Sequence, residues 1–285
     1  MIPDDRSTVS ALPLADRVAL VSGSGRGIGR EIALKLAAAG ASVVVNDLDT
    51  DVAEQTAADI TAAGGAATSC AGSVTDPEFA ARFVATAVDT YGGLHIVINN
   101  AGYTWDNVIQ KMSDEQWEDI LDVHLKAPFR ILRAAQPVIG AAVKAERAEG
   151  RQVTRKVVNI SSIAGTGGNA GQANYSSAKA GVTGLTKAMA KEWGRYDVTV
   201  NCVAFGLIRT RLTGATAGGD ASIDIAGRQI KVGVNPDLLE QLEKTIPLGR
   251  AGTPAEAAGA VYLLCIPESD YISGQVLVCG GGFTG

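Results

Sequence analysis

Arg17-Val-Ala-Leu-Val-Ser22-Gly-Ser-Gly-Arg-Gly-Ile-Gly29 decides the fold. Its first half is a short apolar run that reads as a buried strand. Its second half puts glycine at 23, 25, 27 and 29, just before a helix-like stretch, Ile28 to Ala39, closed by Gly40. A strand that turns through glycines into a helix opens a parallel α/β unit. The missing side chains let the backbone approach a pyrophosphate, and the helix start offers free N–H groups and a positive dipole end. The spacing is Gly23-x-x-x-Gly27-x-Gly29, with Arg26 and Ile28 between, not G-x-G-x-x-G. By itself such a pattern is also compatible with a plain tight turn.

The same alternation continues along the chain. Strands are expected at Ser42 to Asn46, Ala67 to Val74, Ile96 to Asn99, Val157 to Ile160, Val198 to Val203 and Val276 to Val278, seven with the first. Asp76-Pro77 starts a helix, Ser113 starts another with Gln116 completing a capping box, and the longest helix expected runs from Gln172 to Trp193. No repeat or linker divides the chain. The reading is one doubly wound, Rossmann-type α/β domain, residues 15–285, with a seven-stranded parallel sheet and helices on both faces, behind a flexible tail of residues 1–14. Lys144 to Lys156 reads as a solvated helix end and surface loop. The long stretch from Thr210 to Pro247, with a helical segment at Pro236 to Lys244, reads as a substrate cover.

A formal charge of −5 without a basic block argues against nucleic acid and against a membrane surface as partners. No segment reaches the roughly 18 apolar residues of a membrane span, and no signal peptide is apparent, so a soluble cytoplasmic protein is expected. Cys70, Cys202, Cys265 and Cys279 form no C-x-x-C pair and read as reduced, buried thiols; no metal site is expected.

Asp47 follows the second strand, twenty residues after Gly27, where a carboxylate can bind an adenosine ribose and repel a 2′-phosphate. NAD(H) is therefore favoured over NADP(H), although Arg26 beside the glycines would suit a phosphate. Tyr175 and Lys179 stand four apart, on one helical face. An ammonium near the phenol, together with the positive nicotinamide of the oxidised cofactor, should lower a pKa of about 10 toward the working range. Ser161 or Ser162, after the fifth strand, could hold a substrate oxygen against the tyrosine.

From Leu14 to Gly282 the sequence resembles the short-chain dehydrogenase/reductase family. The glycine turn, Asn99-Asn-Ala-Gly102, the serine, Tyr175-x-x-x-Lys179 and Asn201-x-Val-x-x-Gly206 occur in the family's order. The resemblance implies that Ser162 orients the carbonyl, Tyr175 transfers the proton, and Lys179 binds the nicotinamide ribose and tunes Tyr175. It places the cofactor against Gly23, Arg26, Gly27, Ile28, Gly29, Asp47, Leu48, Ser73, Val74, Asn100, Ala101, Gly102, Gly206, Ile208 and Thr210. It also implies a homotetramer.

The chain departs from the family's pattern at Ser22 (usually threonine), Ser73 (usually aspartate), Phe205 (usually proline) and His124 (usually asparagine). His124 is kept as a candidate catalytic residue able to hold a water or carry a proton, and His95 reads as structural.

Around Tyr175, Gly165 to Tyr175 is most similar to 3-oxoacyl-carrier-protein and 3-oxoacyl-CoA reductases. The function this implies is interconversion of 3-oxoacyl and 3-hydroxyacyl thioesters. Steroid, sugar or other secondary-alcohol dehydrogenases, and a dinucleotide sensor without turnover, are the alternatives.

Overall fold

A computed structural model describes residues 12–210, 222–225, 227–231 and 236–283. The apolar runs form β1 (Val18–Val21), β2 (Ser42–Val45), β3 (Ala66–Ser69), β4 (Ile96–Asn99), β5 (Arg155–Ser162) and β6 (Val198–Phe205). After them come β7 (Ser222–Ile225), β8 (Arg228–Lys231) and β9 (Val276–Cys279). All but β7 and β8 join one parallel sheet in the order β3-β2-β1-β4-β5-β6-β9. The order reverses direction at β1 and β4, so the C-terminal ends of these two strands open the crevice in which such sheets bind ligands.

Crossover helices cover both faces: α1 (Gly27–Ala38), α2 (Thr50–Ala62), α3 (Phe79–Tyr91), α4 (Asp114–Leu121) and α5 (Ala127–Ala148). They continue as the single turn α6 (Ala164–Gly167), α7 (Ala173–Trp193), α8 (Pro236–Thr245) and α9 (Pro254–Leu263). The period of two along β1 divides its side chains between two cores. Ala19 and Val21 pack with Ile32, Leu36, Ile60 and Val261 on the α1 and α9 face. Val18 and Leu20 pack with Phe79, Phe83, Ile131, Leu132 and Trp193 on the other.

Several expectations change. Leu14, placed in the tail, is 1% exposed and its N–H donates to Ala39 O at 2.9 Å. Burying such a side chain contributes about 2 kcal/mol, enough to anchor the chain ahead of β1. Residues 1–11 of that tail lie outside the described residues.

The third strand ends at Ser69, because Cys70 to Val74 turn away to border the crevice. The helix expected at Asp76-Pro77 begins at Phe79, where Asp76 Oδ1 still accepts from Glu78 N at 2.9 Å in the preceding turn. α5, with 22 residues and Pro137 inside it, is longer than the 21-residue α7.

The run from Lys144 to Lys156 is only partly solvated. Glu146 on α5 accepts from Arg155 Nη2 and Nη1 at 2.6 and 2.9 Å, and the Arg155 side chain is 2% exposed. Lys156, also buried, reaches Asp270 at 2.6 Å. Burial of these charges is tolerated because each is paired and hydrogen-bonded. β5 consequently begins two residues earlier than expected. His95 is structural as expected: its Nδ1 accepts from Val18 N at 3.1 Å, and burial lowers its pKa to about 4.

Within the excursion at 210–247, β7 and β8 pair as an antiparallel hairpin that was not anticipated, and the helical segment appears as α8. Arg228 on the hairpin pairs with Glu115 at 2.9 Å and Asp119 at 2.6 Å, both on α4, and lies over the Trp105 ring.

Candidate active site

The glycine turn is built by polar atoms that keep it closed. Ser22 Oγ accepts from Asn100 N at 3.0 Å and Ala101 N at 3.1 Å, so the hydroxyl that the serine shares with threonine is used. Asn100 Nδ2 donates to the Ser22 and Gly23 carbonyls, each at 2.9 Å. Gly23 has φ +61, and a Cβ there would stand 2.7 Å from Ala101 Cα. A Cβ on Gly29 would overlap the Gly23 carbonyl oxygen. These positions require glycine because β1, β4 and α1 approach so closely.

Gly27, with φ +56, is the first residue of α1, and open space lies where its Cβ would stand. Arg26, at the N-cap, makes no side-chain cap to α1, whereas α4 and α9 carry complete capping boxes. The first-turn amides of α1 therefore remain for an anion, and Ile28 follows them into the helix. These residues fit a pyrophosphate.

Asp47 leaves the end of β2 against Gly25, and its Oδ1 accepts from Asp49 N at 3.1 Å. Arg26 Nε lies 3.6 Å from Asp47, and Arg26 Nη2 lies 3.1 Å from Asp49. Leu48 is exposed beside them. Ser73 Oγ is 2.7 Å from Thr75 Oγ1, so that hydroxyl is engaged within its own turn, and Val74 is buried. On the other side, Gly206 N donates to Cys279 O at 3.0 Å; a Cβ on Gly206 would come 2.8 Å from Gly280 Cα. Ile208 bridges to Gly252, and Thr210 is the last described residue before the excursion.

Ser162, at the end of β5, and Tyr175 and Lys179, on the first turns of α7, converge. Lys179 Nζ donates to Ile160 O at 2.7 Å and lies 5.5 Å from the centroid of the Tyr175 ring. Ser162 lies near enough to the Tyr175 phenol to act against the rise in its pKa, and its Oγ accepts from Ala164 N at 3.2 Å. Ser161 turns the other way, donating to Lys179 O at 2.8 Å. Geometry thus selects Ser162 over Ser161.

Electrostatics differ from expectation. Burial pushes the Tyr175 phenol up to about 12, against the Ser162 hydroxyl, and the Asp106 charge adds to the rise. Burial also lowers Lys179 to about 8. The chain's own groups thus keep the phenol protonated near neutrality; the ammonium beneath the ring does not by itself offset the burial. The arrangement is that of a proton donor held ready.

His124 sits in a π-helical turn, Asp122–Lys126, joining α4 to α5. Such turns insert a residue and often occur at functional sites. Its Nε2 is 2.7 Å from Tyr103 O, its ring meets that of Tyr175 edge-on, and a Cβ on Gly102 would overlap it. Gly102 therefore serves His124 as much as any ligand.

The family model described as Enoyl-(Acyl carrier protein) reductase matches residues 23–284. The chain belongs to the short-chain dehydrogenase/reductase family. Membership brings oxidoreductase chemistry on a nicotinamide dinucleotide. This short-chain dehydrogenase/reductase is 38% identical over 269 residues to the 3-oxoacyl-[acyl-carrier-protein] reductase FabG of Vibrio cholerae serotype O1, covering 94% of this chain and 98% of that one. To the proteins of the same name from Vibrio harveyi and Staphylococcus aureus it is 38% and 35% identical, again across more than nine-tenths of both chains.

Other supporting residues were not anticipated. Asn46 Oδ1 accepts from Gly23 N at 3.0 Å, while its Nδ2 donates to the Cys70 and Gly72 carbonyls, each at 3.0 Å, tying β2 to both sides of the dinucleotide crevice. Asn174 Nδ2 donates to Trp105 O at 3.1 Å and Gln116 O at 2.9 Å, fixing the start of α7 against α4. Their neighbours Asp47 and Tyr175 are the only local sequence signal. Among the described residues no group of three or more His, Cys, Asp or Glu is placed to hold a metal, and no helix is long and apolar enough to cross a membrane.

Proposed function

We propose that this short-chain dehydrogenase/reductase interconverts 3-oxoacyl and 3-hydroxyacyl thioesters with NAD(H) as coenzyme. The convergence of Ser162, Tyr175 and Lys179 carries the carbonyl chemistry, and the names of the relatives support the thioester.

When bound, the dinucleotide supplies or accepts the hydride. Gly23, Gly27, Gly29 and the α1 amides would hold its pyrophosphate, and Asn100, Ala101 and Gly102 would border its adenosine side. Ser162 and Tyr175 orient the substrate oxygen. In reduction, Tyr175 Oη gives its proton to the oxygen as negative charge develops there. The Lys179 ammonium beneath the ring then stabilises the phenolate left behind. In oxidation the same groups work in reverse, with Tyr175 taking the hydroxyl proton.

Asp47 supports the choice of NAD(H). A carboxylate at the end of β2 accepts from ribose hydroxyls and repels a 2′-phosphate, and the Arg26 guanidinium, already set between Asp47 and Asp49, is not free to offset that repulsion. A coenzyme that is mostly oxidised in cells favours alcohol oxidation over biosynthetic reduction.

A homotetramer belongs to the same reading; exposed Leu277, Val278 and Tyr271 near the outer edge of the sheet are suitable contact residues. The deciding experiment is a steady-state comparison of NADH and NADPH across 3-oxoacyl thioesters, steroid ketones and keto sugars. Turnover of only a steroid or sugar would replace the thioester reading.

A further inference from the structure

The catalytic cleft contains one charge that hydride and proton transfer do not use. Asp106 lies in the loop after β4, where Asn107 pairs with Gln172 and donates its N–H to Gly171 O at 2.9 Å. Gln172 Nε2 donates to Asp106 Oδ2 at 2.6 Å. Gln172 Oε1 accepts from Asn169 Nδ2 at 2.9 Å, which fixes the amide with its N–H toward Asp106. Tyr175 follows Gln172 by three residues, about one helical turn on.

The second oxygen, Asp106 Oδ1, has no hydrogen-bond or ionic partner among the described residues. Asp106 is exposed at the surface; partial burial nonetheless raises its pKa, and its charge is felt by Tyr175. That charge opposes formation of the Tyr175 phenolate, which both reaction directions pass through. Holding Gln172 needs only a neutral acceptor, which asparagine would supply without this cost. An accessible carboxylate held by Gln172 on one oxygen, with the other spare and its charge felt at the proton donor, is suited to an incoming N–H or O–H group.

We propose that Asp106 Oδ1 accepts a hydrogen bond from the amide N–H of the substrate's thioester arm and so sets specificity for thioesters that carry such an arm. The proposal rests on the thioester reading above. Thioesters of a carrier protein and of coenzyme A share this group: two methylenes separate the sulfur from the first amide nitrogen. The amide lies beyond the sulfur from the reacting carbonyl, hence toward the mouth, and Asp106 has an exposed edge while Tyr175 is more deeply set. Gln172 already shows the geometry on Oδ2, an amide N–H donating to a carboxylate oxygen.

The test compares two small substrates of matched size and branching that differ in the amide: S-acetoacetyl-N-acetylcysteamine and the S-(4-methylpentyl) ester of the same 3-oxo thioacid. The parent enzyme should favour the amide-bearing compound at least tenfold in kcat/KM, mainly through KM. In Asp106→Asn, which turns one oxygen into a donor, and in Asp106→Leu, that preference should fall to within twofold. A preference that persists in both variants, or equal kcat/KM in the parent, overturns the role of Asp106. A purely structural Asp106 would depress both substrates equally and leave the ratio intact. If the parent turns over neither thioester but does reduce a steroid or sugar, the thioester reading itself fails, and that result is distinct from the others.

Discussion

The imidazole of His124 stands at right angles to the ring of Tyr175, with 5.0 Å between centroids, and its Nδ1 is buried with no hydrogen-bond partner among the described residues. Because the Tyr103 carbonyl can only accept, the proton of the neutral ring resides on Nε2, leaving a lone pair on Nδ1. Burial, and next the Lys179 charge, hold the His124 pKa well below 6.5. The ring is therefore uncharged at neutral pH.

The pH–rate profile should reflect this. His124 contributes no limb between pH 6 and 8, and His124→Asn leaves the shape there unchanged. Lys179, lowered to about 8, is an ammonium below that pH and loses its charge above it. The kcat/KM for carbonyl reduction should fall as pH rises through about 8. An acid limb near 6.5 that disappears in His124→Asn would show that imidazolium forms after all.

Tyr175→Phe removes the group proposed to exchange the proton with the substrate oxygen. We expect kcat to drop by about 10² to 10⁴, the usual contribution of a positioned acid or base. NADH binding, followed by its fluorescence, should change by no more than a few fold. Retention of most activity would sink the assignment.

Asp47→Ala should narrow the preference for NADH over NADPH, measured as the ratio of kcat/KM values. Arg26, released from Asp47, gains freedom to meet a 2′-phosphate, so the gain with NADPH should exceed the loss with NADH. An unchanged ratio would mean that another residue sets coenzyme choice.

Glu146→Gln leaves the Arg155 guanidinium buried without its counter-charge, a loss of roughly 3–5 kcal/mol in two-state unfolding. The Glu146 pKa is lowered in the fold, first by the Arg155 hydrogen bonds. The stabilisation is thus present above the unfolded value of about 4.5 and disappears as pH falls through the folded value. Urea melts at pH 7 and pH 4 should show a smaller difference between parent and variant at the lower pH.

The elements most readable from sequence were those governed by local chemistry. Glycines 23 to 29, Gly40 and the Ser113–Gln116 box each satisfy backbone requirements within a few residues, and the observed elements begin or end there. The pairing of Arg155 with Glu146 was hidden because the eight intervening positions carry no pattern, and a charged run without its partners looks solvated. The hairpin of β7 and β8 is too short for alternation to distinguish it from a loop. α5 was underestimated because Pro137 and the π-helical turn interrupt the usual period.

At the site, Tyr175 and Lys179 were legible as spacing, and Ser162 was separated from Ser161 only by the family resemblance. Their protonation was not, since the rise at Tyr175 depends on how deeply the fold encloses the phenol. Asp106 gave no signal in sequence: its significance lies in Gln172, 66 residues away, and in an oxygen without a partner among the described residues.

The sheet order also dictates a schedule for synthesis. β1, β2 and β3 are neighbours and leave the ribosome first, then β4 adds to the other side of β1, and β5, β6 and β9 extend that edge in turn. Domains fold as units, and both faces of β1 are covered by segments made later: Ile131, Leu132 and Trp193 on one side, Val261 on the other. The dinucleotide crevice is thus framed early in synthesis and closed late, once nearly the whole chain has emerged.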